Sequence, residues 1–251
     1  LVHSTGGAAA LAGAILLGAR TGRFDKSGAA KPMKPFAASS IPLVTVGVFI
    51  LWLGWFGFNG GSQLAMGTFD DAVAVSNIFI NTNLAACGGV LAAAVMTRLL
   101  AGKTDVVQML NGAIGGLVAI TAEPLAPAPI AAIFIGAIGG IIVVFGTKLL
   151  FNFKIDDVVG AVPAHLFAGI WGTLAVPLTN SDANFSAQLI GVLSINAFVF
   201  VVAYIVWAIM KNTMGIRLSK EAELKGTDVT ETGVIAYAIS CLLYTSDAAD
   251  E

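Results

Sequence analysis

Charge is what this chain of 251 residues lacks most: Asp, Glu, Lys and Arg make up 11% of it, against about 25% in a typical soluble globular domain. So few charges over this length leave long uncharged runs, which excludes a water-soluble α/β domain. Histidine and cysteine are as scarce, with two of each. Cys87 and Cys241 cannot build a disulfide framework or a thiolate metal site, and they read as small buried apolar residues. His3 and His165 are too few for a zinc motif. A net charge of −2 gives no footing for nucleic acid. No phosphate-binding loop, Ser/His/Asp triad or pair of catalytic acids can be drawn, so the sequence offers neither enzyme chemistry nor a cofactor. The chain opens on Leu1 with no methionine and no basic leader. No signal peptide is expected, and residues 1–18 read as a membrane span whose start is cut.

What the chain does have is apolar surface. Hydrophobic residues reach 57% and the mean hydropathy is +0.88. The 29 glycines suit helices that approach one another closely in lipid. Seven apolar segments can be drawn, at about 1–19, 40–63, 73–98, 106–122, 128–149, 158–178 and 187–210. Each is near the ~20 residues needed to cross a hydrocarbon core of roughly 30 Å. Backbone polar groups in lipid must be satisfied within the segment, so these are helices; the alternating segments of a membrane barrel are absent. Charge tests the division independently. Arg20, Arg23, Lys26, Lys31 and Lys34 fall in the first loop, Arg98 and Lys103 at the third, Lys148 and Lys154 at the fifth, and Lys211, Arg217, Lys220 and Lys225 in the tail. These are all 13 Lys and Arg, and the intervening loops hold only Asp70, Asp71, Glu123 and Asp182. Because basic residues mark the cytoplasmic side, the C-terminus is expected there. The expected organisation is a transmembrane domain over 1–210 and a cytoplasmic tail over 211–240 that begins with a short exposed helix and turn. Residues 241–251 match nothing before them and read as non-native read-through.

Two features stand out within the spans. In Leu51-Trp-Leu-Gly-Trp-Phe-Gly-Phe-Asn-Gly-Gly-Ser62, helical spacing puts Leu51, Trp55, Phe58 and Ser62 on one stripe. Gly54, Gly57 and Gly61 form a second stripe, suited to tight contact with a neighbouring helix. The aromatic stripe has two readings: an interfacial aromatic belt, or a vestibule whose ring faces attract a small monovalent cation, with Ser62 as acceptor at its mouth. The second feature is the histidine pair. Both histidines lie within spans, on helices of opposite direction, each with glycine four residues later. An intramembrane histidine either bonds between helices or faces a transport pathway, and a pair so placed suits an inverted-repeat transporter with its site near the midplane. Ala161, His165, Ala168 and Gly172 share one helical face. Asn77, Asn81, Asn83 and Asn111, with Thr82 and Thr121, are expected to bond across helices. Asp156 and Asp157 read as solvated carboxylates that complement a helix N-terminus.

Several ordered motifs together resemble the Amt/Mep/Rh ammonium transporter family over residues 1–237. Gly54-Trp-Phe-Gly-Phe-Asn-Gly-Gly-Ser62 is similar to the signature of its sixth helix, and His3 and His165 to its twin histidines. Asp156-Asp157-Val-Val-Gly-Ala-Val-Pro-Ala-His165 through Gly169-Ile-Trp-Gly-Thr173 is similar to its tenth-helix motif, and Met214-Gly-Ile-Arg-Leu218 with Gly226-Thr-Asp228 to its tail. The resemblance implies an all-α polytopic fold of eleven helices in an inverted repeat, of which seven are present here, from the fifth onward. It implies that Trp55 supports a cation vestibule, Ser62 contacts recruited ammonium and Phe58 is one ring of a gate. It implies that His3 and His165 share a hydrogen bond along a narrow apolar pore also lined by Leu51, Thr121 and Ala161; Asp156 and Asp157, just before the span that starts at 158, lie at its inner mouth. The family's second gate phenylalanine, vestibule tryptophan and outer aspartate have no counterpart in this chain. It implies further a multi-pass protein of the cell inner (plasma) membrane, a homotrimer with one pore per subunit, and a cytoplasmic face suited to a PII-type signal protein. The alternative within the same fold is an ammonium sensor.

Overall fold

The computed structural model describes residues 1–24 and 36–236. Lys26, Lys31, Lys34, Cys241 and the segment 241–251 lie outside the described residues. Seven helical segments appear at the expected places: α1 (Val2–Leu17), α2 (Ile41–Gly61), α3 (Phe69–Ala101), α4 (Val106–Ile120), α5 (Pro129–Asn152), a π-helical turn (Val162–Phe167) running into α6 (Ala168–Ala175), and α7 (Phe185–Thr213). Helices α2, α3, α5 and α7 are each long and apolar enough to cross a membrane; α1, α4 and the segment Val162–Leu178 are shorter. The tail adds α8 (Lys220–Lys225) and a turn at Asp228–Thr232. All regular structure among these elements is helical.

Local chemistry sets the ends. Helix α3 starts at Phe69, ahead of the hydrophobic run, because Thr68 and Asp71 form a reciprocal capping box, which satisfies N–H groups that a helix start leaves free. It stops at Gly102, whose φ of 70° costs glycine least. Asp105 caps α4 and Asn184 caps α7 through their side chains.

Helices α3, α4 and α5 form the centre, and their glycines let backbones meet. A Cβ on Gly136 or Gly116 would collide with the Ala85 carbonyl oxygen, and one on Gly140 with that of Gly89. Ala85, Ala86, Leu117, Ala132 and Val143 fill the space between at 0% exposure. Helix α7 lies on α1, where the Trp207 indole sits over Gly13, and Val192 is its one buried residue. The Gly54, Gly57 and Gly61 stripe of α2 departs from expectation: a Cβ at any of the three would meet nothing within 4 Å. Among the described residues no helix seats against it.

At the end of the bundle where the basic residues gather, the tail folds back on α1. Lys211 Nζ donates to the Leu16 carbonyl at 2.7 Å and Arg217 Nη1 to that of Leu17 at 3.1 Å. Both cations thereby satisfy carbonyls that the end of α1 leaves free. Glu223 accepts from Thr21 N at 2.6 Å and pairs with Arg217 at 2.8 Å. The Thr21 backbone bond, followed by Arg217, holds its carboxyl below the usual range.

Candidate functional site

The histidines are brought together by the glycines that follow them. A Cβ on Gly7, four residues after His3, would strike the Leu166 backbone; one on Gly169, four after His165, would lie 2.8 Å from Ser4 N. Each helix therefore seats its glycine on the residue beside the other's histidine, which brings the two imidazoles to one level. The turn that carries His165 is π-helical, with Pro163 near its start. Proline has no N–H to donate, and such widened turns gather at functional sites. The rings of His3 and His165 lie nearly parallel, 11° apart in plane, with centroids separated by 5.7 Å. The expected direct hydrogen bond between them is not formed.

Aromatic rings close one side of the pair. The Trp55 indole stacks on His3 at 4.9 Å and 15°, and Phe58 meets the same imidazole edge-on at 5.3 Å and 66°. Trp55 is buried, and its Nε1 donates to Thr121 Oγ1 at 2.8 Å. Thr121 Oγ1 in turn donates to the Leu117 carbonyl at 2.6 Å, so α4 fixes the indole plane. Thr121, expected to bond across helices, thereby positions Trp55. Ser62 ends α2, is exposed, and donates its hydroxyl proton to the Phe58 carbonyl at 2.8 Å, leaving oxygen lone pairs free to accept.

Leading from His165 toward the basic end is a cavity of about 500 Å³ bordered by Leu51, Ala161, Ala164, Ile114, Asn111 and the strap Val159–Gly160. Leu51 and Ala161 both border this cavity. The cavity is otherwise apolar, and Leu51 remains 54% exposed. Asp157, the second residue of the tenth-helix-like motif, accepts from the N–H groups of Gly160, Ala161 and Val162 at 2.7–3.0 Å, as expected of a helix N-terminal carboxylate.

Asp156 is a correction. It was expected to be solvated, but it is buried at 6% exposure. It accepts from Arg20 N, Nε and Nη2 at 3.0, 2.7 and 2.9 Å and lies 3.4 Å from Arg23 Nε. Burial pushes its pKa up, but the Arg20 bonds outweigh it and hold the carboxyl below the usual range. Arg23 is 3% exposed, with the Phe151 ring 4.4 Å from its guanidinium carbon. Of the polar residues expected to bond across helices, Asn81 donates to the Pro124 and Pro127 carbonyls, Asn111 donates to that of Val159, and Thr82 accepts from Asn59, a residue not among those expected. Asn77 and Asn83 face outward on α3. Among the described residues no three His, Cys, Asp or Glu side chains gather to hold a metal ion.

The sequence model of the Ammonium Transporter Family matches residues 1–237. This chain belongs to that family. It is 37% identical to ammonium transporter Amt2 of Archaeoglobus fulgidus over 257 residues, an alignment that covers 94% of this chain and 53% of the relative. It is 32% identical to ammonium transporter 1 member 1 of Arabidopsis thaliana, with coverage of 94% and 53%. The chain therefore spans about half the length of these ammonium transporters. Among solved structures it superposes on one titled Sensor Amt Protein with a TM-score of 0.83 at 30% identity, covering 92% of this chain and 58% of that one. It superposes on Mep2 of Candida albicans with a TM-score of 0.73 at 27% identity, covering 88% and 51%. The family is one of multi-pass membrane transporters, and the helical bundle described above is its fold.

Proposed function

We propose that this chain carries the histidine-lined part of a pore that moves ammonium across a membrane. The observation that carries the reading is the parallel stack of Trp55, His3 and His165, which opens on an apolar cavity of about 500 Å³. The half-exposed ring of Phe58, backed by Trp55, and Ser62 as acceptor recruit the cation without a fixed negative charge. Ammonium and potassium are close in size, so such a site discriminates poorly. Discrimination comes at the next step. Ammonium gives up a proton, and neutral ammonia enters the apolar cavity without the desolvation cost of an ion. Potassium has no proton to give up. His3 and His165 take the proton and pass it along the pair, a small ring rotation bringing their edges into hydrogen-bond reach. The basic end with Arg20, Asp156 and Asp157 faces the cytoplasm, as does the tail. The assembly is a homotrimer in the cell's inner (plasma) membrane, with a tail surface available to a PII-type protein. The transmembrane domain ends near residue 210 and the tail follows it.

The test is ammonium and potassium flux through a full-length transporter containing this segment, reconstituted in vesicles. The His3→Ala, His165→Ala double substitution is expected to abolish ammonium-specific uptake. An unchanged rate with unchanged exclusion of potassium would defeat the relay. A second reading, an ammonium sensor, is favoured by one observation: the closer fit to the structure titled Sensor Amt Protein than to Mep2. Ammonium binding that shifts the tail without measurable flux would decide for it.

A further inference from the structure

Asn111 stands between two spaces of opposite character. On one side is the cavity beneath His165, where His165 and Asn111 are the only polar side chains on the wall among the described residues. On the other is a pocket of about 60 Å³ bordered by Arg20, Arg23, Gln108, Thr147 and Asp157. Asn111, Val159 and Gly160 border both. The amide Nδ2 of Asn111 donates to the Val159 carbonyl at 3.0 Å, and its Oδ1 accepts no hydrogen bond within the described residues. Gly160 has φ +79°, and a Cβ there would lie 2.5 Å from Asn111 Nδ2. The strap therefore rests directly on the amide, and only glycine allows it to.

We propose that Asn111 is the exit group of the pore: Oδ1 receives an N–H of ammonia leaving the histidines, while Nδ2 holds the strap that separates the apolar cavity from the charged pocket. This rests on the ammonium reading above. Ammonia in an apolar cavity has donors to satisfy. From His165 toward the basic end, Asn111 Oδ1 is the next side-chain acceptor. Being neutral, it takes ammonia without holding a cation there. Beyond it stand the groups of the Arg23 pocket, where charge is again tolerated.

The experiment compares Asn111→Ala, Asn111→Leu and Asn111→Ser in a full-length transporter containing this segment, assayed for ammonium uptake in vesicles. Alanine and leucine both remove the acceptor, and leucine is close to asparagine in size, so either one carries the test if the other fails to fold. The maximal rate is expected to fall about fivefold, the factor one neutral hydrogen bond is worth. The half-saturation concentration stays put, because recruitment happens at the opposite end. Serine, with its own acceptor, restores most of the rate. A wild-type maximal rate in the alanine and leucine variants, a shifted half-saturation, or no rescue by serine overturns the proposal. Absence of uptake by the unsubstituted protein sinks the ammonium reading and this inference with it; normal uptake by it, with indifferent variants, sinks the exit role alone.

Discussion

The Asp156 cluster allows a quantitative test of how the basic end is held. The carboxylate takes three hydrogen bonds from Arg20 and lies 3.4 Å from Arg23, with side-chain exposures of 1% for Asp156, 3% for Arg23 and 34% for Arg20. It is the only acid within ion-pair distance of Arg23 among the described residues. Removing one partner of a buried pair leaves the other charge uncompensated, at a cost of about 3–5 kcal/mol. Asp156→Ala is therefore expected to lower the unfolding midpoint in detergent micelles by on the order of 10 °C, taking ~2–4 °C per kcal/mol for a chain of this size. Replacing both members, Asp156→Leu with Arg23→Met, removes the stranded charge and is expected to return to within about 1 kcal/mol of wild type; Arg20, a third exposed, stays solvated. Acid supplies an independent arm. The folded carboxyl titrates below its unfolded value of about 3.9, so its contribution is complete above that pH. It is lost as pH falls through the lower, folded pKa. Wild type should then approach Asp156→Ala only in strong acid. The readout is tryptophan fluorescence against temperature at neutral pH and at about pH 3. A single variant as stable as wild type, or a double variant no better than the single one, would refute the reasoning.

Two further tests concern the site. Trp55→Phe keeps a ring on His3 but removes the donor to Thr121 Oγ1; a stability loss of about 1 kcal/mol is expected, with a raised half-saturation for ammonium in vesicle uptake. Gly160→Ala forces a side chain into φ +79° against the Asn111 amide, and should lower the unfolding midpoint by several degrees through strain of ~1–2 kcal/mol. Gly57→Ala, which meets nothing within 4 Å, should instead be neutral or stabilising by up to about 1 kcal/mol.

The seven segments were legible because two independent signals agreed, long apolar runs and basic residues confined to alternate loops. Precision failed at ends decided by single side chains, as where the Thr68–Asp71 box starts α3 ahead of its hydrophobic run. It failed again at 158–161, where Asp157 holds three backbone N–H groups across a strap that turns at Gly160. Burial of Asp156 was invisible for a different reason. Its partner Arg20 is 136 positions away, and a loop acid beside another acid has the same local pattern whether solvated or paired. Thr121 shows the same limit: the indole that reaches it comes from another helix, 66 positions away.

The glycines carry this argument furthest, because the same local signal has opposite outcomes in two helices. In α1 and at the start of α6, a glycine four residues after each histidine lets the two backbones close until the imidazoles face each other. In α2, Gly54, Gly57 and Gly61 make a longer and more regular stripe, and nothing among the described residues lies against it. Spacing along a helix identifies which residues share a face; it carries no information on what that face meets. At the histidines the sequence supplied the missing half, since the two His-x-x-x-Gly units are each other's complement. A Cβ at Gly7 would meet Leu166, beside His165, and one at Gly169 would meet Ser4, beside His3. A small-residue pattern is informative about a site when a second pattern elsewhere in the chain answers it. The substitutions Gly7→Ala and Gly57→Ala place the same methyl group in these two settings, and only the first has backbone in its way.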